Sequence, residues 1–263
     1  MGILIISRRR FVLDSVMSWA ALALGGCDRL SESRSFRSNL AAAELLTLRG
    51  QRLLIGQSLA REYSPRELSR EFPANGTIAP PDEDYQTLAA DGFRAWRLVV
   101  DGLVDRPASY TLAELRRLPS RTQITRTDCV EGWSAIAQWT GVPLRLLLLS
   151  SGLKPKSRYI VFHCADTLEG IPVKGGDERQ GRYYESIDLI DAFHPQTILA
   201  HSMNGKPLAI AHGAPLRLRL ERQLGYKQAK YVMRIEVTER LDHVGGGQGG
   251  FWEDRGYEWY AGI

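Results

Sequence analysis

The sequence predicts an α+β fold of mixed β-sheets with short helices. Segments in which apolar and polar residues alternate, as at 214–223 and 230–239, are typical of antiparallel strands with one solvated face. Short helical patterns lie between such segments, without the regular strand-helix-strand order of a parallel sheet. Loops rich in Gly, Pro and Asn separate them. We therefore expect mixed sheets with short helices in one large domain.

The first predicted elements precede this domain. Residues 28–39 are polar and predict a tether, and 40–61 is rich in Ala, Leu and Arg with leucines at helical spacing. The segment 72–85 contains Pro, Asn and Gly and predicts a loop. We accordingly divide this part of the chain into a tether with an N-terminal helix (28–71) and the domain itself (72–244).

The first half of the domain carries clear turn and cap signals. The segment 93–104 predicts a pair of strands that turns at Asp101-Gly102. Thr111 and Glu114 form a capping-box pattern, which predicts a short helix that stops before Pro119. Residues 142–153 predict a second helix, with Gly152 at its end.

The second half of the domain contains one insertion. Residues 158–164 predict a buried strand and 186–195 a short helix. The Gly-rich polar stretch 165–182 between them predicts a loop. At the C-terminus, 245–263 combines a Gly-rich, flexible hinge with an aromatic tail. For that tail, packing onto the body is favoured over a role in chemistry.

The first 27 residues have the layout of an export signal. A basic region at 8–10 precedes an apolar run at 16–24, which is well short of the ~20 residues that a transmembrane helix needs. The segment SRRRFV at 7–12 resembles the twin-arginine consensus. The resemblance implies recognition by the twin-arginine export machinery, a route for proteins that fold around a cofactor before export. We therefore expect a periplasmic protein.

A second signal overlaps the first. The residues LGGC, ending at Cys27, resemble a bacterial lipobox, in which the cysteine is lipidated. Asp28 resembles the signal that retains bacterial lipoproteins in the inner membrane. The pattern leaves open whether Cys27 is lipidated and anchors the protein there.

Composition and motifs exclude several classes of protein. The net charge of +4 over 263 residues gives no support for nucleic-acid binding. The sequence contains no GxGxxG, P-loop, HExxH or G-x-S-x-G pattern. The sequence therefore lacks the short motifs typical of dinucleotide-binding proteins, P-loop nucleotide-binding proteins, zinc proteases and serine hydrolases.

Cys129 is the residue most suggestive of chemistry. Arg126 lies three residues before it, and a thiol beside a cation ionises more easily to a thiolate, a nucleophile and soft-metal ligand. There is no CxxC, and one thiolate is too few for zinc or an iron–sulfur cluster. It suffices for a metal that an organic cofactor already holds. The alternative is a disulfide with Cys164, since two cysteines in an oxidising compartment often pair.

Three ordered blocks carry a resemblance to a known family. They are the cysteine segment at 125–148, YYESIDLIDAFHPQTILAHSMNGKPL at 183–208 and HGAPLRLRLERQLGYKQAKYV at 212–232. These blocks resemble the sulfite oxidase superfamily of molybdopterin-dependent oxidoreductases. They look most like the bacterial branch related to the periplasmic methionine sulfoxide reductase catalytic subunit. The resemblance covers about 72–239 and implies a fold wrapped around one pterin cofactor.

The resemblance also implies a set of site residues. Cys129 matches the thiolate that ligates molybdenum. Tyr183 matches the active-site tyrosine, although a one-residue shift would substitute Tyr184. Cys164 and His212 stand where the reductase branch has a threonine and an asparagine. The residues implied to bind the cofactor are Asn75, Cys129, Cys164, His212, Arg217, Gln228, Ala229 and Lys230.

Charge chemistry supports part of this set. Arg217 and Lys230 could supply charge-assisted donors to the phosphate of molybdopterin. Arg217 also lies in an alternating strand with Arg219, where basic residues are usually solvated. Without the resemblance, the solvated face is therefore the favoured interpretation of Arg217.

The resemblance implies a function with open details. It implies an exported mononuclear molybdenum enzyme that transfers an oxygen atom to or from a small sulfur-containing substrate, by sulfoxide reduction or sulfite-type oxidation. The sequence has no CxxCH haem motif, so electrons would pass through a membrane haem protein or a cytochrome. The dimerisation domain of true sulfite oxidases has no counterpart, and we expect a monomer. The alternative is a non-catalytic periplasmic lipoprotein with a Cys129–Cys164 disulfide.

Overall fold

The computed structural model describes residues 33–168 and 181–263. The chain divides into two compact units, Met1–Gly56 and Gln57–Ile263. The predicted signal at 1–27, including Cys27, lies outside the described residues, as does most of the predicted Gly-rich loop at 165–182.

The first unit contains one helix, α1 (Arg34–Ile55), within the residues described. It begins inside the segment predicted as a tether and ends before the predicted boundary. Four of its leucines are exposed, namely Leu45, Leu46, Leu53 and Leu54, the last two at 85 % and 86 %. Among the described helices, none has the length and apolar character to cross a membrane.

The larger unit contains a five-stranded sheet. Its strands lie in the order β2-β1-β10-β5-β6. The bounds are β1 (Arg97–Gly102), β2 (Ala108–Thr111), β5 (Tyr159–Thr167), β6 (Arg182–Asp188) and β10 (Val232–Thr238). β1 and β10 are parallel, and the other neighbours are antiparallel. The prediction of mixed sheets is confirmed.

A second sheet is antiparallel throughout. It has the order β3-β4-β7-β8, with β9 paired to β7 outside this path. The bounds are β3 (Arg121–Asp128), β4 (Ser134–Pro143), β7 (Ile198–Met203), β8 (Lys206–Pro207) and β9 (Arg217–Arg219). Gly141 lies where the β4–β7 register shifts, and a Cβ there would come within 2.1 Å of the Leu199 carbonyl oxygen. At position 141 the two strands can therefore approach this closely only because the residue is a glycine.

Short helices join the strands. They are α2 (Glu83–Ala90), α3 (Leu112–Arg117), α4 (Leu144–Ser151) and α5 (Leu189–Ala192). The predicted capping box is confirmed, since Thr111 Oγ1 accepts the Glu114 N–H at 3.0 Å and Glu114 Oε2 accepts the Thr111 N–H at 2.7 Å. Single 3₁₀ turns form at Pro65–Glu67, Ile210–His212, Gly225–Lys227 and Glu253–Arg255.

Two strand predictions need correction. β1 does not turn at Asp101-Gly102; it ends there, and its antiparallel partner starts only at Ala108. The solvated face predicted for 214–223 is also wrong, because every residue of β9 is buried. Burial is possible because the guanidinium groups of Arg217 and Arg219 lie 4.9 and 4.3 Å from the Trp139 ring centroid.

The Gly-rich segment 245–250 differs from the flexible hinge predicted for it. A Cβ at Gly245 would come within 1.8 Å of Tyr184 Oη, and one at Gly250 within 1.9 Å of Glu253 Oε2. Phe251 is buried, and its N–H donates to the Tyr184 carbonyl at 3.0 Å. The glycines therefore permit close packing of the C-terminal segment against β6.

Candidate active site

The site predictions converge on one open cavity of about 180 Å³ in the larger unit. Six of the predicted residues line it: Asn75, Cys129, Tyr183, Arg217, Gln228 and Lys230. The remaining lining residues are Gly76, Thr77, Val130, Glu131, Asp166, Leu168, Gly225, Tyr226, Trp252 and Tyr257. Loops from both sheets and the C-terminal segment therefore meet at this point, and the roles implied for the six residues stay predictions.

Three predicted residues lie outside the cavity wall. Cys164 is buried on β5, opposite Val232 of β10. The Ala229 carbonyl accepts the Leu218 N–H at 2.8 Å, which holds the neighbouring loop. His212 packs edge-on against Phe72, with the ring centroids 5.8 Å apart. None of the three lines the cavity, and the cofactor contacts implied for them stay predictions.

Cys129 lies in a tight turn directly after β3. Its N–H donates to the Trp133 carbonyl at 3.0 Å, and its own carbonyl accepts the Gly132 N–H at 3.1 Å. Gly132 has φ of +87°, which few other residues adopt. Asn75 Nδ2 lies 3.7 Å from Cys129 Sγ and donates to it. The turn and Asn75 thus hold the thiol at the cavity wall.

Arg126 does not act on the Cys129 thiol as the sequence predicts. Arg126 pairs with the Asp128 carboxylate at 3.0 Å instead of with the thiol. Burial raises the pKa of the Cys129 thiol. The group is therefore a thiol in the free protein, and a soft metal ion would displace its proton.

Cys129 has no metal-binding companions within the described structure. No group of three or more His, Cys, Asp or Glu residues there could hold a metal ion. Cys129 and Cys164 are both free, so the disulfide of the alternative interpretation is not formed. A single accessible thiol suits a metal whose other ligands come from an organic group.

Arg217 and Gln228 present unpartnered polar atoms. Arg217 Nη1 donates to the His212 carbonyl at 3.0 Å, but its buried Nε has no hydrogen-bond partner among the described residues. The buried Gln228 Oε1 also has no hydrogen-bond partner among the described residues. Burial lowers the pKa of Arg217 to about 9. Buried polar atoms without partners are costly, so this wall fits an anionic, hydrogen-bonding ligand.

Lys230 is held by backbone carbonyls, and the phosphate contact that the resemblance implies for it stays a prediction. Its Nζ donates to the carbonyls of Asn75, Thr77 and Ala211 at 2.6, 2.5 and 3.3 Å. These three contacts occupy its N–H groups. Burial, with Arg217 acting in the same direction, lowers its pKa to about 8. Lys230 thus fixes the loop that carries Asn75 and adds positive charge beside the cavity.

Tyr183 and Tyr184 are distinguished by the alternation of β6. Tyr183 lines the cavity, and its hydroxyl donates to the Tyr226 carbonyl. Tyr184 points to the opposite face and donates to the Asp254 carboxylate. Burial raises the pKa of Tyr183 well above its usual range, so the phenol keeps its proton. The geometry favours Tyr183 as the tyrosine of the site.

Several lining residues were not predicted. Glu131 is two residues after Cys129, a position that sequence reasoning could have examined. Asp166 lies at the end of β5, where burial raises its pKa to about 7 and its Oδ1 has no partner within the described regions. Trp252 and Tyr257 of the aromatic tail line the cavity, and the expectation that the tail packs onto the body rather than taking part in chemistry stays a prediction. No spacing in the sequence connects that tail to Cys129.

A buried ionic group, which we call the Lys227 triad (Lys227, Glu185 and Glu253), ties this tail to the site. Lys227 Nζ lies 2.5 Å from Glu185 Oε1 and 2.5 Å from Glu253 Oε1. Burial alone would lower the pKa of Lys227, but the two carboxyl groups outweigh it and raise the pKa. The triad joins β6, the turn at Gly225–Lys227 and the turn at Glu253–Arg255.

The chain is similar in sequence to known proteins. Residues 85–243 match the family described as the oxidoreductase molybdopterin binding domain. The chain belongs to this family and is a molybdopterin-dependent oxidoreductase. The resemblance drawn from the three sequence blocks is thereby confirmed.

Named relatives place the chain more closely. It is 36% identical over 257 residues, covering 97% of this chain and 88% of the relative, to the "Putative protein-methionine-sulfoxide reductase subunit YedZ1" of Azospira oryzae. It is 35% identical over 147 residues to the protein-methionine-sulfoxide reductase catalytic subunit MsrP of Xanthomonas axonopodis pv. citri. That match covers 56% of this chain and 46% of the relative.

The chain also resembles a solved structure. The sulfane dehydrogenase SoxCD from Paracoccus pantotrophus superposes with a TM-score of 0.48 at 20% identity. The superposition covers 70% of this chain and 46% of that one.

Burial of the Lys227 triad predicts that the loss of Lys227 lowers the stability of the fold. Lys227→Met leaves a buried carboxylate without its counter-ion, so we expect the free energy of unfolding to fall by about 3–5 kcal/mol at neutral pH. Lowering the pH protonates the carboxyl groups and should reduce the loss. Urea denaturation measures both. The exposed Lys206→Met is the control, with an expected change within ~0.5 kcal/mol; an equal loss in the two variants would contradict the prediction.

Proposed function

We propose that this chain is the catalytic subunit of an exported mononuclear molybdenum enzyme that reduces sulfoxides by two-electron oxygen-atom transfer. The observation that carries the proposal is the free Cys129 thiol in a cavity whose wall holds the unpartnered Arg217 guanidinium nitrogen. Membership of the molybdopterin-binding family supports the cofactor, and the names of the relatives support the sulfoxide direction.

The residues of the wall fit the proposed cofactor, molybdenum bound to molybdopterin. Cys129 would supply one soft thiolate to the metal. Arg217 and Gln228 would meet the polar end of the pterin, because their buried Nε and Oε1 atoms need partners. When bound, the group supplies a metal centre that changes oxidation state by two while an oxygen atom is transferred.

The protein's own side chains define the rest of the chemistry. The Tyr183 phenol is neutral and lies at the wall, where its hydroxyl could turn from the Tyr226 carbonyl to donate to a sulfoxide oxygen. Trp252 and Tyr257 add aromatic surface, against which a thioether sulfur packs favourably. Lys230 keeps the loop of Asn75 in place beside Cys129. These groups orient the substrate and hold a proton close to its oxygen.

Electrons need a separate partner in this proposal. The sequence lacks the CxxCH pattern for covalent haem, so we propose a membrane haem protein or a cytochrome as the electron donor. Location in the periplasm, passage through the twin-arginine machinery and a monomeric state complete the proposal. A lipid on Cys27 would add an anchor to the inner membrane.

The first prediction from the proposed function concerns the metal ligand. Cys129→Ser replaces a soft thiolate by a hard, poorly ionised hydroxyl, so the sulfur-to-metal absorption band and sulfoxide turnover should be lost while pterin is largely retained. Absorption spectroscopy and pterin fluorescence after oxidation measure these properties. Cys164→Ser is the matched control and should keep the absorption band. Wild-type protein from a twin-arginine-competent host that contains no molybdenum would end the enzyme interpretation.

The second prediction concerns anion binding. Charge-assisted hydrogen bonds contribute on the order of 1.5–3 kcal/mol, so Arg217→Ala should weaken pterin retention about ten-fold or more. Pterin fluorescence per protein measures retention, and circular dichroism checks the fold. Arg145→Ala, at an exposed position of α4, is the control. Full pterin content in the Arg217 variant would show that this residue does not bind the cofactor.

The third prediction concerns export. Because the twin-arginine route requires its arginine pair, changing both Arg8 and Arg9 to Lys should leave the precursor in the cytoplasm. Fractionation and immunoblotting measure the location. The matched control is Arg10→Lys, a change at the variable position of the consensus, which should be exported normally. Periplasmic accumulation of the double variant would refute this part of the proposal.

A further inference from the structure

The Lys227 triad lies directly behind the cavity wall, and the proposed function does not use it. The three side chains are fully buried, with at most 1 % exposed. Two carboxylates and one ammonium would leave a net negative charge away from solvent, which is strongly unfavourable. The triad is neutral when one proton is added to it, and burial raises the pKa of Glu185, so Glu185 carries that proton. It therefore stores a proton next to the site.

The two carboxyl oxygens of Glu185 have different surroundings. Oε1 accepts from Lys227 Nζ at 2.5 Å and from the Ser186 N–H at 2.8 Å. Oε2 lies 3.4 Å from the Tyr183 hydroxyl, a distance that a small shift would turn into a good hydrogen bond. Burial raises the pKa of Glu185 well above its usual range, even though Lys227 opposes this. The proton that Glu185 carries can therefore reside on Oε2, the oxygen that faces Tyr183.

We propose that Glu185 delivers, through the Tyr183 hydroxyl, one of the two protons that turn the oxygen removed from a sulfoxide into water. This inference rests on the proposed sulfoxide reduction. In that reaction a sulfoxide, two electrons and two protons give a thioether and water. The S–O bond breaks and two O–H bonds form, and the electrons come from the reduced haem partner.

The transfer leaves each group in a defined state. The Tyr183 hydroxyl donates to the Tyr226 carbonyl in the described structure and has to turn from it to the departing oxygen. It then gives its proton to that oxygen and takes the proton of Glu185, so the phenol is restored. Glu185 becomes the second carboxylate on Lys227, and the triad then regains a proton from solvent. The second proton of the water comes from solvent. Glu185 thus acts through Tyr183 and is a positioning residue for the proton.

Other ionisable groups also face this path. Burial raises the pKa of the Cys164 thiol and of the Tyr226 phenol, so both are neutral and neither gives up a proton readily. Asp166, with a pKa of about 7, also influences Tyr183 and is the rival source. The groups that face Glu185 are Tyr183, Lys227, Glu253, Cys164 and Tyr226.

Two conservative variants test the relay in the pterin-loaded full chain. Glu185→Gln and Glu253→Gln each leave Lys227 with one carboxylate, so the triad stays neutral and the fold should be kept. Glu185→Gln removes the carboxyl group that carries the proton, and Glu253→Gln removes the neighbouring carboxylate that raises the pKa of Glu185 and leaves Lys227, which lowers it. With a methyl sulfoxide as substrate and a reduced viologen dye as electron donor, we expect kcat to fall about 100-fold in both, with KM and pterin content unchanged.

Two further readouts separate a proton relay from a structural role. In the wild type, kcat should fall as rising pH removes the proton from Glu185, and both variants should lose this dependence. Asp166, with a pKa of about 7, contributes a protonated carboxyl band of its own near neutral pH. The infrared band of protonated carboxyl groups should therefore be weaker in both variants than in the wild type by the share of one carboxyl group, whether or not cofactor is bound. Asp191→Asn removes a buried carboxylate paired with Arg222. As the control, it should change neither the pH profile nor that band.

The outcomes distinguish this inference from the proposed function. If the loaded wild type reduces no sulfoxide, the proposed function fails and the inference fails with it. If the wild type is active but Glu185→Gln keeps its kcat within about twofold, only the relay is wrong. A loss in Asp166→Asn without a loss in the Glu185 variant would assign the proton to Asp166. If the variants do not fold, a wild type that lacks the infrared band still overturns the relay.

Discussion

Burial of positive charge around the cavity is the constraint on which the arrangement of this site depends. A buried cation is unfavourable unless an anion, a set of carbonyls or an aromatic face compensates it. Lys227 has two carboxyl groups, Lys230 has three carbonyls, and Arg219 has Glu221 at 2.7 Å together with the Trp139 ring. Glu221 is two residues from Arg219, whereas the other compensating groups come from distant parts of the sequence. Satisfying the cations therefore brings the loops of the wall together.

Arg217 is the cation that this scheme leaves incomplete. It has the His212 carbonyl and the face of Trp139, but its buried Nε has no partner among the described residues. Gln228 Oε1 shares that condition. An anionic cofactor would complete both, so its binding should also stabilise the folded chain. Under the proposed function, this provides a physical reason for the cofactor to be inserted before export.

Sequence reasoning succeeded where chemistry is local. The capping box at Thr111 and the helix end at Gly152 follow from rules that span a few residues, and both are present. The family resemblance brought six residues to one cavity because ordered blocks preserve the relative positions of strands and loops. It could not show that Lys230 is fully engaged by carbonyls, since those carbonyls belong to Asn75, Thr77 and Ala211. It also missed Trp252 and Tyr257, which reach the cavity only through tertiary packing.

The alternation of β6 connects these observations. Side chains on a strand point to alternate faces, so Tyr183 and Glu185 share one face while Tyr184 lies on the other. On one face, Tyr183 reaches the cavity and Glu185 meets Lys227. On the other, Tyr184 anchors Asp254 in the same C-terminal segment that supplies Glu253 to the triad. A one-residue slip in the β5–β6 register would exchange these faces and separate the phenol from the stored proton. Gly245 lies against Tyr184 and Gly250 against Glu185, so closely that a Cβ on either glycine would clash. These contacts with β6 oppose such a slip.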